Sequence, residues 1–330
     1  MLRTVPFTPP VTIDRFAPLL TAIRADMNAG ASAAAPGCVF VLLAAIGGAV
    51  LLTYQFTWDT GWHTDPATLG GLVAYAVAVW LVWKVGMWWA TPASVTAEQA
   101  LRRLETDVLQ PLVADMRPDA RYAARAVAPT RTLVRSHLVR DAPFTSGNQI
   151  RWRTGDLAFE MFELESVVTN SGQDFSTTSR YFVGLLAWAD LPTRDDDFHV
   201  LVRSRHEFAN QVAGPGESAA LDGFAVNEHY RVVSNWEPFA RAVCTPEVQE
   251  RLLQLAREGV WVHASVADGR VWVGIEADQA TWFLGYPTFG FRLLGALDNA
   301  HAVELEQRLT IVDDVATALA RGVTALQSRA

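Results

Sequence analysis

Residues 260–275, VWVHASVADGRVWVGI, contain the strongest local folding signal in the chain. Two runs rich in valine and tryptophan, Val260–Val266 and Val271–Ile275, flank the dipeptide Asp268-Gly269. Asp-Gly readily adopts the positive φ that a tight hairpin turn requires, and both runs favour strands. This stretch therefore predicts a β-hairpin.

Upstream of the hairpin, the pattern alternates between a helix and further strands. Thr245 is a suitable N-cap and Pro246 a suitable first residue for a leucine-rich helix, which Gly259 would end. Short β-forming runs bounded by turn residues precede that helix. They are Leu157–Val168, Tyr181–Ala189, His199–Arg205 and Tyr230–Ser234. The region 142–330 is thus predicted to be an α+β domain with an antiparallel or mixed sheet.

Downstream of the hairpin, residues 300–326 predict a long C-terminal helix. Its apolar residues recur at alternating steps of four and three, which is a heptad-like spacing. They are Leu305, Leu309, Val312, Ala316, Leu319, Val323 and Leu326. This seam has two interpretations: packing against the domain's own sheet or stalk, or self-association into a homo-oligomer.

The N-terminal third contains two long apolar runs, residues 37–58 and 68–90, in which Lys84 is the one charged residue. Each run is long enough to cross a bilayer as a helix, and the short segment between them forces the helices to run antiparallel. We therefore expect a two-helix transmembrane hairpin; a buried hairpin of a soluble protein is the alternative.

Aromatic and basic residues predict where the hairpin meets the two membrane surfaces and how it is oriented. Indole rings favour membrane interfaces, and a lysine near a helix end extends into the headgroups. The predicted membrane anchors are Trp58, Trp62, Trp83, Lys84, Trp88 and Trp89. Arginines flank the two runs, whereas the turn between them has none. The positive-inside rule then predicts a multi-pass protein of the bacterial cytoplasmic (inner) membrane with both termini in the cytoplasm.

The segments that flank the hairpin are predicted to be helical. Residues 1–36 contain a short amphipathic helix whose apolar face would contact lipid or protein. Residues 91–141 read as a basic juxtamembrane stalk, with eight arginines and four carboxylates between residues 102 and 140. Contact with anionic lipid headgroups and a solvated helix face are both consistent with that excess. The predicted headgroup contacts are Arg102, Arg103, Arg117 and Arg121.

Charge and cysteine content exclude several classes of protein. Residues 1–153 carry a net charge of +4 and residues 154–330 carry −12. The acidic distal half argues against a nucleic-acid ligand, because phosphate neutralisation requires clustered arginine and lysine. The two cysteines form neither a disulfide framework nor a zinc pattern, and no phosphate-binding glycine motif occurs. We predict no cofactor and no metal.

Catalytic chemistry has weak candidates only. His199, His206 and Glu207 are the residues best placed for an acid/base or metal cluster, but the seven-residue spacing puts the two histidines on opposite faces of a regular strand. Cys244 precedes a predicted helix, yet the sequence offers no identifiable base for a thiol enzyme. A non-enzymatic protein is therefore favoured.

The order of these elements resembles the bacterial membrane-protein family called domain of unknown function 3137. The resemblance lies in Phe159-Glu160-Met161-Phe162-Glu163-Leu164, Tyr181-Phe182-Val183-Gly184-Leu185, Cys244-Thr245-Pro246-Glu247-Val248 and the hairpin at 260–275. It implies an N-terminal helical region, two adjacent transmembrane helices and a cytoplasmic α+β domain. It implies no active site.

Three functions follow from these observations. The leading hypothesis is an integral inner-membrane protein whose cytoplasmic domain binds an unknown protein or small-molecule partner, with membrane lipid as a further partner. The first alternative is an oligomeric membrane effector or channel that assembles through the C-terminal helix. The second is a membrane-tethered hydrolase that uses the histidines.

Overall fold

A computed structural model describes residues 13–26, 28–29, 80, 84, 98–124, 126–139, 144–171, 176–192, 198–205, 219–276 and 299–327. The chain divides into two compact units, Phe16–Val108 and the combination of Met1–Arg15 with Leu109–Ala330. Apart from Trp80 and Lys84, the predicted spans 37–58 and 68–90 lie outside the described residues. Among the helices of the described ranges, none is long and apolar enough to cross a membrane.

The second unit is built on a nine-stranded sheet in which every neighbouring pair is antiparallel. Its spatial order is β1-β2-β3-β4-β9-β8-β5-β7-β6. The strands are β1 Arg121–Ala123, β2 Phe144–Thr154, β3 Leu157–Ser171, β4 Ser176–Asp190, β5 Val200–Ser204, β6 Ala219–Leu221, β7 Tyr230–Ser234, β8 Val262–Ala267 and β9 Arg270–Glu276. Together with the helices below, this sheet confirms the predicted α+β class.

The described helices are divided between the two units, with those up to residue 104 in the unit Phe16–Val108. They are α1 (17–26), α2 (98–104), α3 Gln110–Met116, α4 Thr130–Val134, α5 Glu237–Val243, α6 Pro246–Arg257 and α7 Asn299–Gln327. The predicted start of α6 is confirmed, because the Thr245 hydroxyl accepts a hydrogen bond from the Val248 amide at 3.3 Å. The predicted long C-terminal helix is confirmed as α7, which packs on α5, α6 and β9.

The two sheet faces are covered differently. On one face, Phe162, Leu186 and Leu201 pack against the segment 126–139, from which Leu133 and Leu138 are buried. Helices α5, α6 and α7 pack on the opposite face, where the Tyr230 hydroxyl of β7 donates to the Leu252 carbonyl of α6 at 3.2 Å. We call the segment 126–139 the roof, because it covers one face of the sheet.

One buried carboxylate fixes α7 to the sheet. Asp313 accepts hydrogen bonds from Arg117 Nε at 3.1 Å and Nη2 at 2.9 Å on one oxygen. Its other oxygen accepts from Trp152 Nε1 at 2.8 Å and from Thr154 Oγ1 at 2.7 Å. Since all four acceptor positions of the carboxylate are used, Asp313 sets both the register and the rotation of α7 on β2.

Residues 91–141 differ from the helical stalk that the sequence predicts. Helix α3 ends at Met116 because Arg117, the residue before Pro118, is held in an extended conformation. The chain then enters β1 and the roof segment, so that residues 121–139 belong to the α+β domain. A π-helical turn at Glu105–Leu109 comes immediately before α3, which carries Pro111 in its first turn.

The unit Phe16–Val108 contains the predicted amphipathic helix. Phe16, Leu20 and Ile23 are buried within the chain, so the apolar stripe of this helix packs on protein. Asp26 at the end of α1 pairs with Arg103 of α2 at 2.7 Å. Of the two interpretations that the sequence left open for this stripe, the protein contact is the one that the structure shows.

Candidate functional site

His199 lies directly before β5, and the structure brings it to a residue that the sequence analysis did not single out. Its backbone amide donates to Asn235 Oδ1 at 3.0 Å, and its carbonyl accepts from Ser234 Oγ at 2.5 Å. Its ring lies beside that of His137, with 5.6 Å between the ring centroids. His206 and Glu207, the other two members of the predicted cluster, lie outside the described residues.

His137 is held over the sheet by the turn that ends the helical part of the roof. This residue has a positive φ of 57°, which local hydrogen bonds stabilise. The Ser136 hydroxyl donates to the Leu133 carbonyl at 2.6 Å and accepts from the Leu138 amide at 3.0 Å. From the sheet below, the Ser265 hydroxyl of β8 donates to the Ser136 carbonyl at 2.6 Å. The backbone of the turn that carries His137 is therefore held from both sides.

Arg203 of β5 lies beneath this turn. Its Nη2 donates to the His137 carbonyl, and the residue is 8% exposed. Arg231 of β7 is its direct cross-strand partner and is exposed. Burial, followed by repulsion from Arg231, lowers the pKa of Arg203 to about 10, so this guanidinium remains charged at neutral pH. We call His137, His199, Arg203 and Arg231 the basic cluster.

A second polar pair adjoins the basic cluster on the same sheet face. The pairing of β5 with β8 ends at Val202 and Ala264. Arg203 and His263 are the next residues of the two strands beyond that pair. His263 Nδ1 accepts the Ser204 amide at 3.2 Å, so the ring proton is on Nε2. Nε2 lies 2.5 Å from Glu276 Oε1. The pair is therefore an imidazole Nε2–H that donates to the Glu276 side chain.

The two rings of the basic cluster are held in the neutral form. Burial lowers the pKa of His137, and the neighbouring His199 and Arg203 lower it further, while Asp268 acts in the opposite direction. Burial also lowers the pKa of His199. Asp268 is itself paired with Arg135 at 3.0 Å. At neutral pH the cluster therefore contains two charged guanidinium groups and two imidazoles, each with one N–H donor.

The described residues of the basic cluster have the features of a binding site. Ser136 and Ser265, the hydroxyl groups that hold the roof, donate to backbone carbonyls. Burial raises the pKa of Cys244 to about 12, which makes its thiol a poor nucleophile. Among the residues that the structure describes, no three potential metal ligands converge. Arginine and imidazole N–H groups on one surface are donors for an anionic or polar ligand.

Sequence reasoning found His199 and missed the rest of this cluster. His137, Arg203 and Arg231 are separated from one another by 28 or more positions along the chain and meet through the sheet order β8-β5-β7. One signal was present: His263 and Ser265 alternate with apolar residues inside the quoted hairpin, which places two polar side chains on one face of a buried strand.

The other predicted site residues lie elsewhere. Lys84 is helical and exposed, with its Nζ 5.7 Å from the centroid of the Trp80 ring, and the five predicted tryptophan anchors lie outside the described residues. Arg102 pairs with Glu98 at 3.1 Å. Arg117 is bound by Asp313 in the packing described above, whereas Arg121 is exposed on β1. Headgroup contact by these arginines stays a prediction.

The predicted C-terminal seam is an internal packing surface. Helix α7 approaches α5 so closely that a Cβ on Gly322 would lie 2.6 Å from the Ala242 carbonyl oxygen. Six of the seven seam residues are buried within the chain itself, and the seventh, Leu326, is half-buried. The buried six are Leu305, Leu309, Val312, Ala316, Leu319 and Val323. Of the two interpretations of the seam, packing against the domain is the one that the structure shows.

Comparison with known proteins adds little to this description. No protein-family model matches the chain, and no curated protein matches it. Among solved structures, the crystal structure of the mycobacterial trehalose monomycolate transport factor A, TtfA, is similar at a TM-score of 0.30 and 12% sequence identity. That similarity covers 57% of this chain and 87% of that chain. At this level it carries no argument about fold or function.

Proposed function

We propose that this chain is an integral membrane protein whose α+β domain binds a ligand or a partner protein close to the cytoplasmic face of the inner membrane, without catalysing a reaction. The membrane part rests on the two apolar runs at 37–58 and 68–90 and on the arginines that flank them. Membership of the family called domain of unknown function 3137 is part of the same proposal and rests on the sequence phrases quoted above.

The observation that carries the binding role is the basic cluster. The guanidinium groups of Arg203 and Arg231 and the ring of His199 lie on one sheet face, with Arg203 buried and Arg231 exposed. The ring of His137 comes from the roof, which hydrogen bonds hold over that face. A fixed set of donors at the surface suits recognition, because little ordering is lost when a ligand binds. A hydrolytic reaction would need a nucleophile or an activated water, and nothing in the described part of the cluster favours one.

The experiment that tests this function combines fractionation with crosslinking in native membranes. We expect the full-length chain to remain in the membrane pellet after an alkaline carbonate wash, as an integral protein does. We also expect a photocrosslinker at exposed Arg231 to yield a discrete product that the same crosslinker at exposed Arg257, on the outer side of α6, does not yield. Release by carbonate would contradict membrane integration, and identical products at both positions would contradict a binding face.

The oligomeric effector has less support than the binding protein. Assembly through the C-terminal seam would require residues that are buried inside the protomer. The hydrolase alternative relied on His199 together with His206 and Glu207, two residues that lie outside the described ranges. The described contacts of His199 include the His137 ring, Ser234 and Asn235.

A further inference from the structure

We propose that the basic cluster is a phosphate-binding site. This inference rests on the proposed function, because it assigns a ligand class to the binding domain. The ligand would be a phosphate group, either free in solution or part of a lipid headgroup, held between Arg203 and Arg231 with the rings of His137 and His199 at the rim.

The first argument is the charge placed on this face. Residues 154–330 carry a net charge of −12, so a local concentration of basic groups stands out against its surroundings. Arg203 and Arg231 are directly opposed across β5 and β7, an arrangement that costs stability because like charges repel at that distance. A bound anion between the two guanidinium groups would turn that repulsion into attraction.

The second argument is the construction of the site. The buried Arg203 is held by the His137 carbonyl, and the turn that carries His137 is tied to β8 through Ser265. The rim is reachable from solvent, because His137 and His199 are half-buried and Arg231 is exposed. Arginine forks and imidazole N–H groups fit the oxygens of a tetrahedral phosphate, which accepts hydrogen bonds from several directions.

The charged groups that face the cluster from other elements are consistent with this ligand. Asp268 of the β8–β9 turn is paired with Arg135 at 3.0 Å, and Glu276 of β9 accepts from His263 at 2.5 Å. Both described carboxylates near the cluster thus have hydrogen-bonding partners outside it. The dianionic form of phosphate would also favour protonation of the two rings, so binding should be coupled to proton uptake.

The test uses the full-length chain in nanodiscs of phosphatidylcholine, with its seven histidines labelled for NMR. The ring signals of His137 and His199 are assigned from the His137→Gln and His199→Gln variants. We expect inorganic phosphate, compared with chloride at equal ionic strength, to raise the pKa of both rings by about one unit. Acetate should have no comparable effect.

Variants identify the site. Arg231 is exposed, so Arg231→Gln should fold normally and weaken phosphate binding about tenfold, while Arg231→Lys should retain part of the affinity. The matched control is Arg257→Gln, at another exposed arginine, which should bind as the wild type does. Equal loss in both glutamine variants would show nonspecific attraction and overturn the proposal.

A second arm separates the two sources of phosphate. If the ring pKa values respond to phosphatidic acid in the nanodisc and not to inorganic phosphate, the site is a headgroup site; a response to inorganic phosphate makes it a site for a soluble ligand. No response in either arm overturns the proposal. Such a failure would leave membrane integration and partner binding intact, because carbonate extraction and crosslinking test them separately.

Discussion

Asp313 shows how one side chain determines the position of a whole helix. It is 9% exposed, and its two oxygens accept four hydrogen bonds from Arg117, Trp152 and Thr154. A buried carboxylate with this many donors is stabilising only while every partner is present, because each lost partner leaves a buried polar group unsatisfied.

We therefore expect Asp313→Ala to lower the free energy of unfolding by about 3–5 kcal/mol, since it leaves the half-buried Arg117 without its counter-ion and the buried Trp152 N–H without its acceptor. The adjacent Asp314 is the control: its side chain is 49% exposed and pairs with Arg251, so Asp314→Ala should cost about 0–1 kcal/mol. Urea unfolding in detergent, followed by tryptophan fluorescence, measures both values. An equal decrease in the free energy of unfolding for the two variants would show that the hydrogen bonds of Asp313 do not hold α7.

The neutral rings of the basic cluster predict a pH dependence of stability. The folded-state pKa values of His137 and His199 lie below the ordinary value of 6.5, so the unfolded chain binds these protons first as the pH falls. The two rings therefore cost the folded state nothing above pH 6.5, and the free energy of unfolding decreases as the pH falls below that value. The His137→Gln/His199→Gln double variant should lose less stability between pH 7 and pH 5 than the wild type, as measured by urea unfolding at each pH. An equal loss of unfolding free energy between pH 7 and pH 5 in the double variant and the wild type would contradict this prediction.

At the scale of the element, the sequence predicted those units whose signals are local. The strand Tyr230–Ser234 and the cap at Thr245 were predicted as observed, and the turn residues Asp268 and Gly269 both have positive φ, at 54° and 65°. Each of these features depends on a few adjacent residues, so a short window of sequence contains the necessary information.

Elements with interrupted patterns escaped prediction. Strand β2 contains a bulge between Gly147 and Ile150, where Asn148 has a positive φ of 51° and bonds to buried Glu163. The bulge breaks the alternation of apolar and polar residues on which strand prediction depends. The short β1 was hidden for a related reason: three residues within the arginine-rich segment 102–140 give no periodic signal of their own.

The C-terminal seam offers a prediction at the same scale. Leu309 of α7 is fully buried, so Leu309→Ala should lower the free energy of unfolding by about 2–5 kcal/mol through the cavity it leaves. The mass of the assembly in mild detergent should not change. Gln307→Ala, at an exposed position of the same helix, should stay within about 0.5 kcal/mol of the wild type. A smaller assembly for Leu309→Ala, with unchanged stability, would support the self-association interpretation.

At the scale of the whole molecule, the candidate site depends on topology that sequence alone did not supply. The order β9-β8-β5-β7 places β5, which is distant from β8 in sequence, between β8 and β7. That arrangement brings Arg203, Arg231 and His199 to the sheet face that the roof, which carries His137, covers. The class of fold follows from local patterns, whereas the pairing of distant strands follows from how the complete apolar surface is buried.

The proposed function requires that the two apolar runs attach the α+β domain to the inner membrane. The most direct test is sided labelling of single-cysteine variants in spheroplasts, in a full-length chain whose Cys38 and Cys244 are replaced by serine. We predict that a membrane-impermeant maleimide labels the Thr60→Cys variant, in the turn between the apolar runs, in intact spheroplasts. We predict that it labels the Arg257→Cys variant, on the surface of the α+β domain, only after lysis. Labelling of both variants only after lysis, or of Arg257→Cys in intact spheroplasts, would contradict the account.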